Sequence, residues 1–285
     1  MSRIFDARPC ALGEGPLWHP VRGQLFWFDI TANRLLSQTT AGPQEWRFDE
    51  NVSAAGWISR AEMIIASETA LLRFNVETGQ SDVLCPLEAD SPDTRSNDGR
   101  ADPQGGFWIG TMSKTQVPKA GAIYRFHRGE LRRLFPEITI PNAICFAPDG
   151  KSAYFADTRD GRVMRVALDA AGWPVGTPQT FVDLRAEALN PDGAVVDAQG
   201  VLWLAQWGAA RVAAYAPDGQ FLRAVEFAAP HTSCPAFGGA DLNTLFCTTA
   251  LQGMSDAARA KHPDAGKTFA ADGVARGQAE HRVIL

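Results

Sequence analysis

The feature that most constrains this chain is a β-rich unit that recurs along it. One copy is GPLWHPVRGQLFWFDI at 15–30, another GRADPQGGFWIGT at 99–111, then NAICFAPDGKSAYFAD at 142–157 and DGAVVDAQGVLWLA at 192–205. Each reads as a strand, a tight turn and a second strand ending in small or polar residues. The turns carry Asp-Gly or Gln-Gly, residues that tolerate the backbone angles hairpins need. Three turn glycines, Gly105, Gly150 and Gly200, lie 45 and 50 residues apart, and the gap of 82 from Gly23 to Gly105 fits two repeats. The copy between them is GWISRAEMIIASETALLRFNVETG at 56–79, with its turn near Ser59 and Arg60. A sixth unit, CPAFGGADLNTLFCTTA, occupies 234–250. After each hairpin a further strand-like stretch follows, such as RVMRVAL at 162–168 or RVAAYAP at 211–217.

A repeat of about 40 to 50 residues holding four short strands is the size of one propeller blade. The sequence therefore predicts an all-β fold, a six-bladed β-propeller, as a single domain over 1–285. The opening SRIFDA at 2–7 and TFAAD at 268–272 are left over as strands. They are expected to complete one blade together and close the ring, which removes free sheet edges. A β-sandwich would not explain a repeat of this period. The polar, alanine-rich segment 251–266 is expected as a short helical turn or a long surface loop.

Composition narrows the class. Hydrophobic residues make up 45% of the 285, enough for a large core without disulfide support. The five cysteines, Cys10, Cys85, Cys145, Cys234 and Cys247, are odd in number and form no C-x-x-C pair. They read as free thiols of a reducing compartment, so a cytoplasmic setting is expected. A formal net charge of −5 gives no electrostatic case for nucleic acid or for an anionic membrane. The longest apolar runs, such as 25–30, are too short to span a bilayer, and MSRIFDARPC lacks the apolar stretch of a secretory signal. The protein is expected as a monomer or weak homo-oligomer.

Aligning the repeats on their turns exposes a shared position. Asn97, Asn142 and Asp192 each stand eight residues before the turn glycine, and Glu14 stands nine before Gly23, where the turn is one residue longer. Any one such residue is ordinarily a turn cap. Four in one register, just ahead of the innermost strands, converge near the axis at one mouth of the channel. Two carboxylates and amide oxygens gathered there form a hard-oxygen site suited to Ca²⁺, Mg²⁺ or Mn²⁺, with Zn²⁺ or Fe²⁺ also compatible. Few protein ligands leave positions open for water or substrate.

Other residues carry weaker signals. His19 is expected as a buried structural histidine, and His127, His231, His262 and His281 lack metal spacing. No G-x-S-x-G elbow, P-loop or dinucleotide fingerprint is present. Trp18, Trp27, Trp57, Trp108 and Trp203 read as core. Trp207 follows the second strand of its hairpin and so can reach the mouth, although core packing is the expectation. Cys234 reads as a small buried residue, and Asp98 and Asp157 as acceptors for backbone amides.

These motifs carry a family resemblance. LGEGPLW-P at 12–20, SNDGRADPQGGFWIGTM at 96–112, PNAICFAPDGK at 141–151 and NPDGAVVDAQG at 190–200 resemble the senescence-marker-protein/gluconolactonase family of regucalcin-like sugar lactonases. The likeness continues through WGAARVAAYAPDG at 207–219, TSCPAFGG at 232–239 and AGKTFAADGVARG at 265–277. It implies a metal-dependent hydrolase that opens an aldonolactone to the sugar acid. Glu14, Asn142 and Asp192 match the family's metal ligands, and Asp192 also matches the candidate base. Arg95 and Asn97 match the positions that hold substrate oxygens. Where some members carry acidic residues after G-T-M, this chain has Ser113, Lys114 and Thr115. Lys114 is then a candidate partner for a substrate carboxylate. The alternatives are an organophosphate or aryl esterase, and a calcium-binding regulatory propeller without catalysis.

Overall fold

Ile64 and Ile65 sit side by side on one strand, Glu62–Ser67, and both are fully buried. Successive strand residues point to opposite faces, so this strand is packed on both sides. Ile65 joins Phe26, Phe28 and Phe74 in one apolar cluster, and Ile64 joins Phe107, Ile109 and Phe126 in the next. The same alternation sends Trp108 one way and Phe107 the other, and Trp203 one way and Leu202 the other. Six clusters result, one between each pair of neighbouring sheets. The core of this protein is thus the set of interfaces between its sheets.

A computed structural model describes residues 2–285. It holds six four-stranded sheets, each antiparallel, and the protein is a six-bladed β-propeller. Blades one to five run through 13–47, 52–86, 94–138, 141–183 and 190–226. Blade six takes Thr232–Gly238, Thr244–Thr249 and Thr268–Ala271 from the end of the chain and Arg3–Asp6 from its start. Ile4 pairs with Phe269, and Arg3 with Ala270. The expected closure by both ends is therefore present. The first strands of neighbouring blades contact one another all the way round, so they line the axis. Within 251–266 one short helix forms, Asp256–Lys261, with Ser255 capping it through an accepted bond from the Ala258 amide.

Hairpin turns are fixed by a recurring aspartate. Asp102 Oδ1 accepts from the amides of Gln104 and Gly106, and Oδ2 from the indole of Trp108 at 3.2 Å. Asp197 does the same for Gln199, Val201 and Trp203, the last at 2.9 Å. His19 is buried with Nε2 bonded to the Ser59 carbonyl at 2.9 Å, the structural role expected for it.

The last twelve or so residues join no blade. They cross the hairpin-turn end of the channel and bond to blades two to six in passing. Gly277 donates to the Leu242 carbonyl, Gln278 to those of Phe146 and Val196, Val283 to that of Trp57 and Ile284 to that of Gly105. Glu280 forms a buried ion pair with Arg100, whose guanidinium also reaches the carbonyls of Ala194 and Pro235 at 3.4 Å. This strap closes one end and leaves the other open. Removing one partner of a buried pair strands the other charge, at a cost of about 3–5 kcal/mol. Glu280→Ala is expected to lower unfolding stability by about 3 kcal/mol or more, and Glu280→Gln by less, in urea titrations followed by tryptophan fluorescence.

Candidate active site

Every innermost strand carries an irregularity at the same height. The ladder shifts between Glu14 and Leu17, Val52 and Ala54, Ser96 and Gly99, Asn142 and Cys145, Pro191 and Ala194, and Thr232 and Pro235. A bulge bends the strand and re-aims a side chain. The residues at or inside these six bulges, five positions before the hairpin closes, are Glu14, Ser53, Asn97, Asn142, Asp192 and Ser233. All six are buried. The fourfold register read from the turn glycines is thus a sixfold one, with serine completing it in blades two and six. Ser53 bonds to Ser96 at 2.7 Å and Ser233 to the Gly13 carbonyl at 2.5 Å, so these two tie blades together.

Glu14, Asn97, Asn142 and Asp192 line one open cavity of about 380 Å³, together with Arg95. That volume suits a small molecule. A chain of hydrogen bonds sets the orientation of its floor. Arg95 donates to the Ser96 carbonyl and to Asn97 Oδ1, each at 2.8 Å. Asn97 Nδ2 donates to the Pro141 carbonyl at 2.9 Å and to Asn142 Oδ1 at 3.1 Å. Asn142 Nδ2 donates to Thr158 Oγ1 at 2.8 Å, and that hydroxyl donates to the Pro191 carbonyl at 2.7 Å. The relay crosses blades three, four and five. It fixes the amide of Asn142 with its nitrogen turned to Thr158. Asn97 spends both ends of its amide as a strut between Arg95 and Asn142. Burial lowers the Arg95 pKa to about 10, which leaves the guanidinium charged at neutral pH.

The carboxylates have no such partners. Glu14 Oε2 accepts from the Gly15 amide at 3.1 Å, and no ion pair among the described residues includes Glu14 or Asp192. Asp98 lies below them, accepting from the Ile144 amide at 2.7 Å, and burial pushes its pKa up to about 6. Burial, with the charge of Asp98, raises the pKa of Glu14. Burial, then the charges of Glu14 and Asp98, raises that of Asp192. Buried like charges are costly unless something positive is shared between them. A divalent cation fits this donor set of two carboxylates and one amide oxygen. No group of three His, Cys, Asp or Glu side chains with metal-holding geometry occurs among the described residues, and the Asn142 amide oxygen is the further hard donor beside Glu14 and Asp192.

Several wall residues escaped the reading of the sequence. Thr158, Arg159, Met112, Trp207 and His231 all line the cavity. Trp207 reads as able to reach the mouth, with core packing preferred, and His231 is set aside for lack of metal spacing. The available signal was position, since Thr158 and Trp207 directly follow or end second strands, at the same end of the blade as the bulges. Lys114 is placed differently from its expectation. It does not line this cavity. Its ammonium is engaged by Glu68 and by the Pro92 carbonyl at 2.8 Å, beside a neighbouring depression. Cys234 is buried, and burial raises its thiol pKa far above the ordinary value, which keeps it inert.

The family model described as SMP-30/Gluconolactonase/LRE-like region matches residues 12–251, a span that contains the whole floor. The chain belongs to this family. A Rhizobium meliloti relative named provisionally as a sugar lactone lactonase is 42% identical over 94% of this chain and 92% of its own length. The L-arabinolactonase of Azospirillum brasilense is 33% identical, covering 91% of this chain and 88% of that protein. The crystal structure of a calcium-binding protein, regucalcin, from Agrobacterium tumefaciens superimposes with a TM-score of 0.98 at 38% identity, over 100% of this chain and 98% of that one.

Two outcomes test the electrostatics of this family member. Titrated with Ca²⁺ or Mn²⁺, the protein is expected to gain thermal stability, by about 2.7 kcal/mol at a hundredfold excess over Kd, and Glu14→Gln with Asp192→Asn together to abolish that gain. Freed of ions with a chelator, wild type is expected to lose stability as pH rises above the ordinary carboxylate range. The raised pKa values mean that folded Glu14 and Asp192 hold protons the unfolded chain has already released. Differential scanning calorimetry across pH checks the sign.

Proposed function

We propose that this chain hydrolyses a sugar lactone to the open sugar acid, in the cavity above Glu14, Asn142 and Asp192. The observation that carries this reading is the pairing of two buried carboxylates, Glu14 and Asp192, with a charged, preset Arg95 on the wall of one small-molecule cavity. The relatives named for lactonase activity support the reaction class. Glu14, Asn142 and Asp192 would hold one divalent ion, Ca²⁺, Mg²⁺, Mn²⁺, Zn²⁺ or Fe²⁺. Bound there, such an ion supplies Lewis-acid polarisation of an ester carbonyl. A purely calcium-holding role would leave the Arg95 arm and the open cavity without a task.

A lactone is a cyclic ester, and its opening adds water across the acyl carbon to ring oxygen bond. Asp192 is the candidate base that takes the proton of the attacking water. The same carboxyl can return that proton to the ring oxygen as the acyl bond breaks, so water is consumed and no other group changes. Arg95, braced by Asn97, orients the substrate's oxygens by fixed hydrogen bonds. Its charge makes these bonds stronger than neutral ones. Asn142 is held by Thr158, so its oxygen does not rotate away during turnover. The unpaired cysteines support a cytoplasmic setting. Among the described residues no helix is long and apolar enough to cross a membrane.

The test is a panel of aldono-1,4- and 1,5-lactones with chelator-treated enzyme and single ions restored. Asp192→Ala is expected to lower kcat by about 10³-fold or more, and near-normal turnover in that variant would overturn its role. Arg95→Ala is expected to raise KM about tenfold, the loss of one charged hydrogen bond. Lys114→Ala is expected to leave KM unchanged for charged and neutral lactones alike, because its ammonium faces Glu68.

A further inference from the structure

Across the ring from Arg95 stands an aromatic wall. In a six-bladed ring, blade three faces blade six. Arg95 belongs to blade three, His231 leads into blade six, and Trp207 ends the second strand of blade five. The indole and imidazole stack, with centroids 4.3 Å apart and planes 17° from parallel. Both rings line the cavity and both stay partly exposed to it.

The pair is held rigidly. The amides of Gly208 and Ala210 donate to the Pro230 carbonyl at 3.0 and 3.1 Å, lacing the turn after Trp207 to the residue before His231. The single Thr232 hydroxyl proton is shared between the carbonyls of Gln206 and Arg211, at 3.2 and 3.0 Å. The Ala250 amide donates to the His231 carbonyl at 3.0 Å. These contacts set the backbone on both sides of the two rings. His231 Nδ1 is buried and has no hydrogen-bond partner among the described residues. Burial lowers its pKa, so the ring is neutral at physiological pH.

We propose that the Trp207–His231 stack is the sugar-ring platform of this site and sets which lactones it accepts. The proposal rests on the lactonase reading above. A sugar lactone is amphipathic, with hydroxyls at its edge and a ring face of C–H groups. Laying that face against an aromatic wall removes apolar surface from water at little entropic cost, because the rings are already fixed. The hydroxyl edge then turns toward Arg95. A lactone with one bare ring face fits this slot. One with hydroxyls on both faces must bury a hydroxyl against the indole.

The experiment uses the full chain with its restored ion, and L-arabinono-1,4-lactone and D-glucono-1,5-lactone as substrates. Trp207→Ala is expected to raise KM about five- to tenfold, with kcat within about twofold, and Trp207→Phe to recover most of the loss. A second readout needs no turnover. Sodium gluconate and arabinonate are titrated in, and the change in indole fluorescence seen with wild type is expected to vanish in Trp207→Phe while calorimetric affinity is retained. His231→Gln, which keeps a polar group but removes the stack, is expected to weaken aldonate binding too. Wild-type turnover with KM in Trp207→Ala and in His231→Gln within twofold of it overturns the platform. A persistent fluorescence change in Trp207→Phe overturns it as well. Wild type that turns over no lactone and binds no aldonate overturns the lactonase reading, and the platform with it.

Discussion

Ring closure is the constraint on which the rest of this molecule depends. Arg3–Asp6 pairs with Thr268–Ala271, so the first and last strands of the chain share one blade. Each blade buries both of its faces against neighbours, and no blade has a core of its own. An open ring would leave two such faces in water. Closing it also brings the six innermost strands to one axis, and that alone lets residues more than 170 positions apart, Glu14 and Asp192, share a cavity. The strap at 274–285 then seals the hairpin end through the Arg100–Glu280 pair, so the polar axis has a single mouth.

That axis is an expensive place for charge. Carboxylates at Glu14, Asp98 and Asp192 repel one another out of water, and the charge of Arg95 offsets this only in part at Glu14. What it builds instead is a hydrogen-bonded frame. The relay from Arg95 through Asn97, Asn142 and Thr158 to the Pro191 carbonyl satisfies the neutral groups and leaves the carboxylates free. Such a frame is preorganised for a bound cation and a polar ligand, and it is costly without them. The stacked rings across the channel supply the apolar half of the same recognition.

Much of this was legible in the order of residues. The hairpin turns and their spacing identified the blades, and the leftover strands identified the closure. The repeat position alone singles out Glu14, Asn97, Asn142 and Asp192. The D-x-Q-G-x-x-W pattern at 102–108 and 197–203 was equally readable, since each aspartate clamps its own turn and its own tryptophan. Less legible was the placement of side chains that follow strands. Lys114 lies two residues beyond a cavity-lining methionine, and a local ion pair with Glu68 draws it off. Trp207 opens a family-like stretch but His231 lies in none, and their stacking joins two blades through loops whose paths no local pattern sets.

The sequence by itself determined the blade, its repeat and the residue type at each axial position, because strand alternation and turn chemistry are local and repeat with the chain. Tertiary structure decided what those positions became. It turned Asn97 into a strut, because its amide met Arg95 on one side and Asn142 on the other. It made Glu14 and Asp192 an unpaired couple, and it set an aromatic wall opposite Arg95. Each of these depends on groups brought together by closing a ring, and distances across a ring are fixed by its curvature, which no single repeat encodes.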